Sequence, residues 1–159
     1  MRFCSINNLK DAGFTGFIPV SELREGGLKM TPDVPGVYVV LRVSERAPEF
    51  LETGSGGHFK GKNPNVPVAE LAANWVDGTP VVYIGKATSL RKRISQYLRF
   101  GQGKPVGHWG GRYIWQLADS SQLLFCWKEV DGDPEAVETE MISAFRDCYG
   151  GRPFANLAK

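Results

Sequence analysis

Val81-Val82-Tyr83-Ile84-Gly85-Lys86-Ala87-Thr88-Ser89-Leu90-Arg91-Lys92-Arg93-Ile94-Ser95-Gln96-Tyr97 reads as a strand, a turn and a helix. The β-branched and aromatic run Val81 to Ile84 is ended by Gly85, and Thr88 or Ser89 offers a hydroxyl N-cap for a helix beginning at Leu90. Leu90, Ile94, Tyr97 and Leu98 recur at i, i+4, i+7 and i+8, which gives that helix one buried stripe. Arg91, Lys92 and Arg93 stand beside or opposite the stripe, at the positive end of the helix dipole. An anion is the natural partner of such a turn.

Working outward, the chain has the length of one domain with a real core: 159 residues, 42% hydrophobic and 23% charged. No apolar run approaches the length of a membrane span and Met1 to Gly13 carries no leader pattern, which points to a cytoplasmic protein without a membrane partner. Cys4, Cys126 and Cys148 are odd in number, widely spaced and set among apolar residues, so buried thiols are expected rather than a disulfide framework or a zinc site. Net charge is +2, but its distribution is uneven. From Gly78 to Ala118 there is no acid, while Lys86, Arg91, Lys92, Arg93, Arg99, Lys104 and Arg112 supply seven positive charges; Asp119 to Asp147 is predominantly acidic. A solvated surface whose halves neutralise each other is one reading. Tyr97, Phe100, His108, Trp109, Tyr113 and Trp115 are interleaved with the basic residues, and this suits a phosphate-lined groove with stacking surfaces.

Residues 1–33 read as an N-terminal extension with a short helix at Pro19 to Arg24. Pro35-Gly36 then introduces Val37 to Val43, a central strand. Residues 44–79 interrupt what would otherwise be a hairpin with Val81 to Ile84, and include a short helix from Val68 to Val76. Within this insert Gly56 to Lys62 imitates half of a phosphate-binding loop. Asn63-Pro64 follows where a hydroxyl residue and a helix are needed, so a surface turn is the better reading, with Lys60 and Lys62 able to touch a polyanion. Gln122 to Val130 alternates as a strand, and Arg112 to Leu117 is ambiguous. Asp133-Pro134 starts a helix striped by Val137, Met141, Ala144, Phe145 and Cys148 and stopped by Gly150-Gly151.

Phosphodiester hydrolysis needs a proton acceptor, cations to stabilise a pentacoordinate phosphorus, and usually a divalent metal at a carboxylate. Tyrosine, with an ordinary pKa near ~10, serves as a base only where cations favour its phenolate. Pro35-Gly36-Val37-Tyr38, then Val82-Tyr83-Ile84-Gly85-Lys86, Arg93 ten positions after Tyr83, Glu138 on a later helix and Asn156 near the end together resemble the GIY-YIG nucleases, above all their excision-repair branch. The resemblance spans about residues 34–159.

It implies that Tyr38 and Tyr83 are paired active-site tyrosines, one acting as or helping the general base. Lys86 would assist, Arg93 would bind the scissile phosphate, Glu138 would hold one Mg2+ or Mn2+ ion, and Asn156 would hydrogen-bond to fix the site. Glu138 is preferred to Glu135 and Glu140 because the apolar pair Met141-Ile142 follows it at the family's spacing. Independently, 100° helical steps put Glu138 and Glu140 at the two margins of the buried stripe and point Glu135 outward. DNA is the implied partner, with Arg91, Lys92, Arg99, Lys104, His108 and Arg112 as candidate nucleic-acid contacts. His108 lies outside the shared motif and is open to a local hydrogen-bonding role as well.

The expected fold is a single α/β (α+β) domain over residues 1–159, with a small, mainly antiparallel three-stranded central sheet flanked by helices. The family normally joins its tyrosine motifs by a short turn, so the 44–79 insert is a departure, and no separate DNA-binding domain is visible. A metal-dependent DNA endonuclease is the leading expectation. A nucleic-acid-binding module without turnover on the same scaffold is the alternative.

Overall fold

The strand read at Val81 forms one edge of an antiparallel sheet in a computed structural model that describes residues 2–157. Its strands are β1 (Thr15–Pro19), β2 (Gly36–Leu41), β3 (Val81–Ala87) and β4 (Leu124–Glu129), in the spatial order β1-β4-β2-β3. The sheet therefore has four strands, not the expected three. The additional strand comes from the N-terminal extension, where the period-two signal is broken: Gly16 and Phe17 both take positive φ (97° and 58°), and the pairing with β4 slips between Gly16 and Ile18. Pro19 then ends the strand at a sheet edge, where a missing N–H is tolerated.

Among the described residues five α-helices accompany the sheet: α1 (Ile6–Asp11), α2 (Val20–Arg24), α3 (Val68–Asn74), α4 (Leu90–Phe100) and α5 (Pro134–Tyr149). The capping chemistry is as the sequence implies. Ser89 accepts from the Lys92 N–H at the start of α4, Asp133 accepts from the Glu135 N–H at the start of α5, and Gly150 ends α5 at φ 77°. The ambiguous aromatic segment is 3-10 helical from Trp109 to Gln116, kinked at Gly111.

All six residues of β2 are buried, because both faces of the sheet are covered. Tyr38, Val40, Tyr83, Phe125 and Trp127 meet Leu90, Ile94 and Tyr97 of α4 on one face. Val37, Val39, Ile84 and Cys126 meet Met141, Ile142 and Phe145 of α5, with Phe3, Leu9 and Phe14, on the other. The expectation for the cysteines needs correction: Cys126 is buried, but Cys4 and Cys148 are exposed, so Cys148 is not part of the α5 stripe.

The long insert leaves the β2–β3 pairing intact. Tyr38 faces Gly85 and Val40 faces Tyr83 across the ladder, and the chain makes its excursion between Leu41 and Val81. A buried amide helps to fasten it. Gln116 Nε2 donates to the carbonyls of Leu51 and Val66, both at 2.9 Å, while Gln116 Oε1 accepts from the Val66 N–H at 2.9 Å. Arg42 holds the beginning of the insert through Asp119 at 2.9 Å and the Arg46 carbonyl at 2.9 Å. The phosphate-loop imitation is a turn, closed between Phe59 and Lys62, and no helix begins until Val68.

Gln116→Ala strands two carbonyls and an N–H at a closed interface, so it is expected to lower stability by about 3 kcal/mol. Urea denaturation would measure this, and limited proteolysis should cut the 44–79 segment earlier in the variant than in the parent.

Candidate active site

A cleft of about 600 Å³ opens beside β3, between the starts of α4 and α5. Tyr83 and Lys86 line it from β3, Ser89, Lys92, Arg93 and Gln96 from the α4 side, and Asp133, Glu135 and Glu138 from the α5 side. The outer edge of β3 is closed by the C-terminal segment. Asn156 Oδ1 accepts from the Ile84 N–H at 3.0 Å, Asn156 Nδ2 donates to the Ile84 carbonyl at 2.9 Å, and the Ala155 N–H reaches the Val82 carbonyl at 2.8 Å. The backbone of the residue between Tyr83 and Gly85 is thus held on both its polar groups by one side chain.

The two tyrosines occupy different depths. Tyr38 lies opposite Gly85, and a Cβ at position 85 would stand 2.5 Å from Tyr38 Cζ, so only glycine lets that ring cross β3. Tyr38 is fully buried; Tyr83 is 8% exposed and is the tyrosine that reaches the cleft. Their ring centroids are 5.9 Å apart. Behind them, the Tyr38 hydroxyl and His108 Nε2 are 2.5 Å apart, His108 stacks on Tyr97 at 3.5 Å, and the Tyr97 hydroxyl donates to the Gly111 carbonyl. His108 is only 1% exposed, so this expected nucleic-acid contact instead belongs to the buried wall of the site.

Burial dominates the ionisation of these groups. It pushes the Tyr83 hydroxyl up to about 12; Arg93 pulls the other way, Glu138 raises it further, and hydrogen bonding with Tyr38 favours ionisation. Tyr38 and Tyr97 are held well above the ordinary phenol value, again chiefly by burial. His108 is driven well below its ordinary value by burial and then by the charge of Arg93, so it is neutral at pH 7.

Arg93 Nη1 donates to Gln96 Oε1 at 2.8 Å and to the Gly107 carbonyl at 3.0 Å, which aims its guanidinium along the aromatic wall. Gln96 was not a sequence candidate, although its i+3 position after Arg93 is a legible signal for such a brace. Lys86 lines the same cleft as Tyr83, and its ammonium pairs with Glu135 at 3.0 Å. Glu138 is 7% exposed, whereas Glu135 and Glu140 are exposed.

Of the remaining basic candidates, Lys92, Arg99 and Lys104 are exposed. Arg91 is tied to the carbonyls of Thr31 (2.8 Å) and Lys29 (3.1 Å), and Arg112 lies over the Trp109 ring at 4.6 Å.

No group of three or more His, Cys, Asp or Glu side chains forms a metal cage among the described residues. Mg2+ and Mn2+ do not need one. Mg2+ retains several waters and takes one or two carboxylates together with substrate phosphate oxygens. Glu138 at the cleft wall, with Asp133 and Glu135 at the rim, fits that kind of shared ion.

The fold is thus a mixed α/β domain with a tyrosine-, arginine- and carboxylate-lined cleft at a sheet edge. Over 69 residues, 43% of this chain, the sequence is 29% identical to UvrABC system protein C of Nautilia profundicola. That match covers 11% of the relative, so the chain spans about a tenth of its length. No family model matches, and no solved structure matches significantly. Among the described residues no helix is long and apolar enough to cross a membrane.

The neutral burial of His108 makes stability depend on pH. An unfolded histidine takes up a proton below about pH 6.5 and the folded one does not, so the unfolded chain gains the proton. Stability is expected to fall toward acid by up to about 1.4 kcal/mol per pH unit below that value, and His108→Asn should remove this component. Urea midpoints between pH 5 and 7.5 check it; equal slopes in both proteins would contradict a neutral His108.

Proposed function

We propose that this protein is a GIY-YIG-type endonuclease that hydrolyses phosphodiester bonds in DNA with the help of one Mg2+ or Mn2+ ion. The observation that carries the reading is the convergence of Tyr83 of β3, Arg93 of α4 and Glu138 of α5 on one cleft whose strand is pinned by Asn156. The partial likeness to UvrABC system protein C supports it.

In this reading Arg93, braced by Gln96 and Gly107, binds the scissile phosphate and offsets the charge that grows on its oxygens in the transition state. Tyr83, the tyrosine at the cleft surface, takes the proton of the attacking water. Its hydroxyl is protonated at neutral pH, so the phenolate has to be favoured by positive charge. An ion bound at Glu138 would supply Lewis-acid stabilisation of a phosphate oxygen and cancel the negative charge that raises Tyr83. Tyr38 backs Tyr83 from the buried side. Asn156 acts as a positioning residue through the backbone of Ile84. Lys86 sits at the cleft mouth on Glu135, and a substrate phosphate competes with that carboxylate for its ammonium.

The protonated Tyr83 and the Lys86–Glu135 pair also suit the second reading, a module that binds nucleic acid without cutting it. A cleavage screen separates the two. Duplex, nicked, branched and single-stranded DNA, and RNA, are incubated with Mg2+ or Mn2+. We expect cleavage of DNA, rising with pH from 7 to 9 as the phenolate fraction grows, and reduced at least ~100-fold in folded Glu138→Ala and Arg93→Ala proteins. Salt-sensitive binding with no product from any substrate would establish the binding module. Undiminished cleavage by both variants would refute the site.

A further inference from the structure

The insert packs against the brace of Arg93 at a feature the proposed chemistry does not use. Phe59, Lys60, Gly61 and Lys62 form a tight turn, with the Phe59 N–H donating to the Lys62 carbonyl at 3.3 Å and the Lys62 N–H to the Phe59 carbonyl at 3.0 Å. Lys60 and Gly61 sit at its tip with φ of 53° and 74°. Two successive positive φ angles define a type I′ turn, in which asparagine or glycine is the comfortable residue and lysine is not. The turn nevertheless places a lysine there, and both Lys60 and Lys62 are exposed.

Its location is set by close packing at Gly57, where only glycine fits, and at Gly107. Below the turn, the Gly57 N–H donates to the Phe100 carbonyl at 2.9 Å, and a Cβ on Gly57 would stand 2.1 Å from the Lys104 carbonyl oxygen. At the turn itself the Phe59 ring rests on Gly107, where a Cβ would be 3.2 Å from Phe59 Cζ and 3.6 Å from Gln96 Nε2. Gly107 and Gln96 are the two groups that hold Arg93. The turn is therefore seated on the brace of the phosphate-binding arginine.

We infer that the Phe59–Lys62 turn is a substrate-gripping wing, whose lysines bind the DNA phosphate backbone flanking the phosphate held by Arg93. This deepens the nuclease reading and rests on it. The two exposed lysines, on a turn packed against the brace of Arg93, select a polyanion as the occupant. The Phe59 ring meets Gly107 at one edge and carries the Lys60 ammonium over its face at 5.3 Å, so the wing offers charge to the backbone rather than donors and acceptors to base edges.

Binding of a short fluorescein-labelled DNA duplex to Glu138→Ala protein, followed by anisotropy over a salt series without turnover, tests this. Lys60→Glu and Lys62→Glu in that background are expected to weaken binding about tenfold each, uniformly across duplex sequences, and each to make the log–log salt slope shallower by about one. Lys10→Glu, an equal charge change on α1, should alter affinity less than twofold. Lys60→Gly should raise the melting temperature while weakening binding, a combination that a purely structural turn does not produce. Parent-like binding by both wing variants, or an equal loss from Lys10→Glu, overturns the wing and leaves the nuclease reading standing. Failure of the Glu138→Ala parent to bind any DNA overturns both.

Discussion

The hydrogen bonds between Asn156 and Ile84 are the constraint on which the site depends. β3 is an edge strand, and the outward N–H and C=O of its buried central residue need partners. A single amide satisfies both groups, at 3.0 and 2.9 Å, and the Ala155 N–H on the Val82 carbonyl continues the closure of that edge. Because Ile84 lies between Tyr83 and Gly85, the clip fixes the direction of Tyr83 and the spacing through which the Tyr38 ring passes.

From that pinned strand the remaining geometry follows in layers. The β2–β3 register puts Tyr38 over Gly85, and the lack of a Cβ there lets the phenol reach His108. His108 stacks on Tyr97 of α4, and Arg93 lies one helical turn earlier. A buried aromatic wall thus connects the sheet to the helix that presents the arginine. α5, packed on the opposite face through Met141, Ile142 and Phe145, turns Glu138 to the same cleft. The wall is dry enough to keep Tyr38 and Tyr97 protonated and His108 neutral, so Tyr83 is the member of the group poised at the boundary with solvent.

Much of this was legible in the residues. The Ser89 and Asp133 caps, the stripe of α4 and the break at Gly85 are local signals, and local physics decides them. Helical periodicity separates Glu138 from Glu135 but leaves Glu140 at the other margin of the buried stripe, and only the Met141-Ile142 pair that follows Glu138 at the family's spacing distinguishes those two. β1 was not legible, since Gly16 and Phe17 break the alternation that marks a strand. A hydrogen-bonding role for His108 was among the readings its setting allowed; its burial was not legible, because Tyr38 and Tyr97 are brought to it from 70 and 11 residues away. The 44–79 insert read as a long loop because the groups that fasten it, Phe100 and Trp115 to Leu117, lie far along the chain.

The account is tested most directly by a crystal structure of Tyr83→Phe protein with duplex DNA and Mn2+, located by its anomalous scattering. It predicts one manganese peak at the Glu138 carboxylate, with a backbone phosphate shared between that ion and the Arg93 guanidinium in the cleft beside β3. DNA seated on another face, or manganese bound away from Glu138, would contradict it.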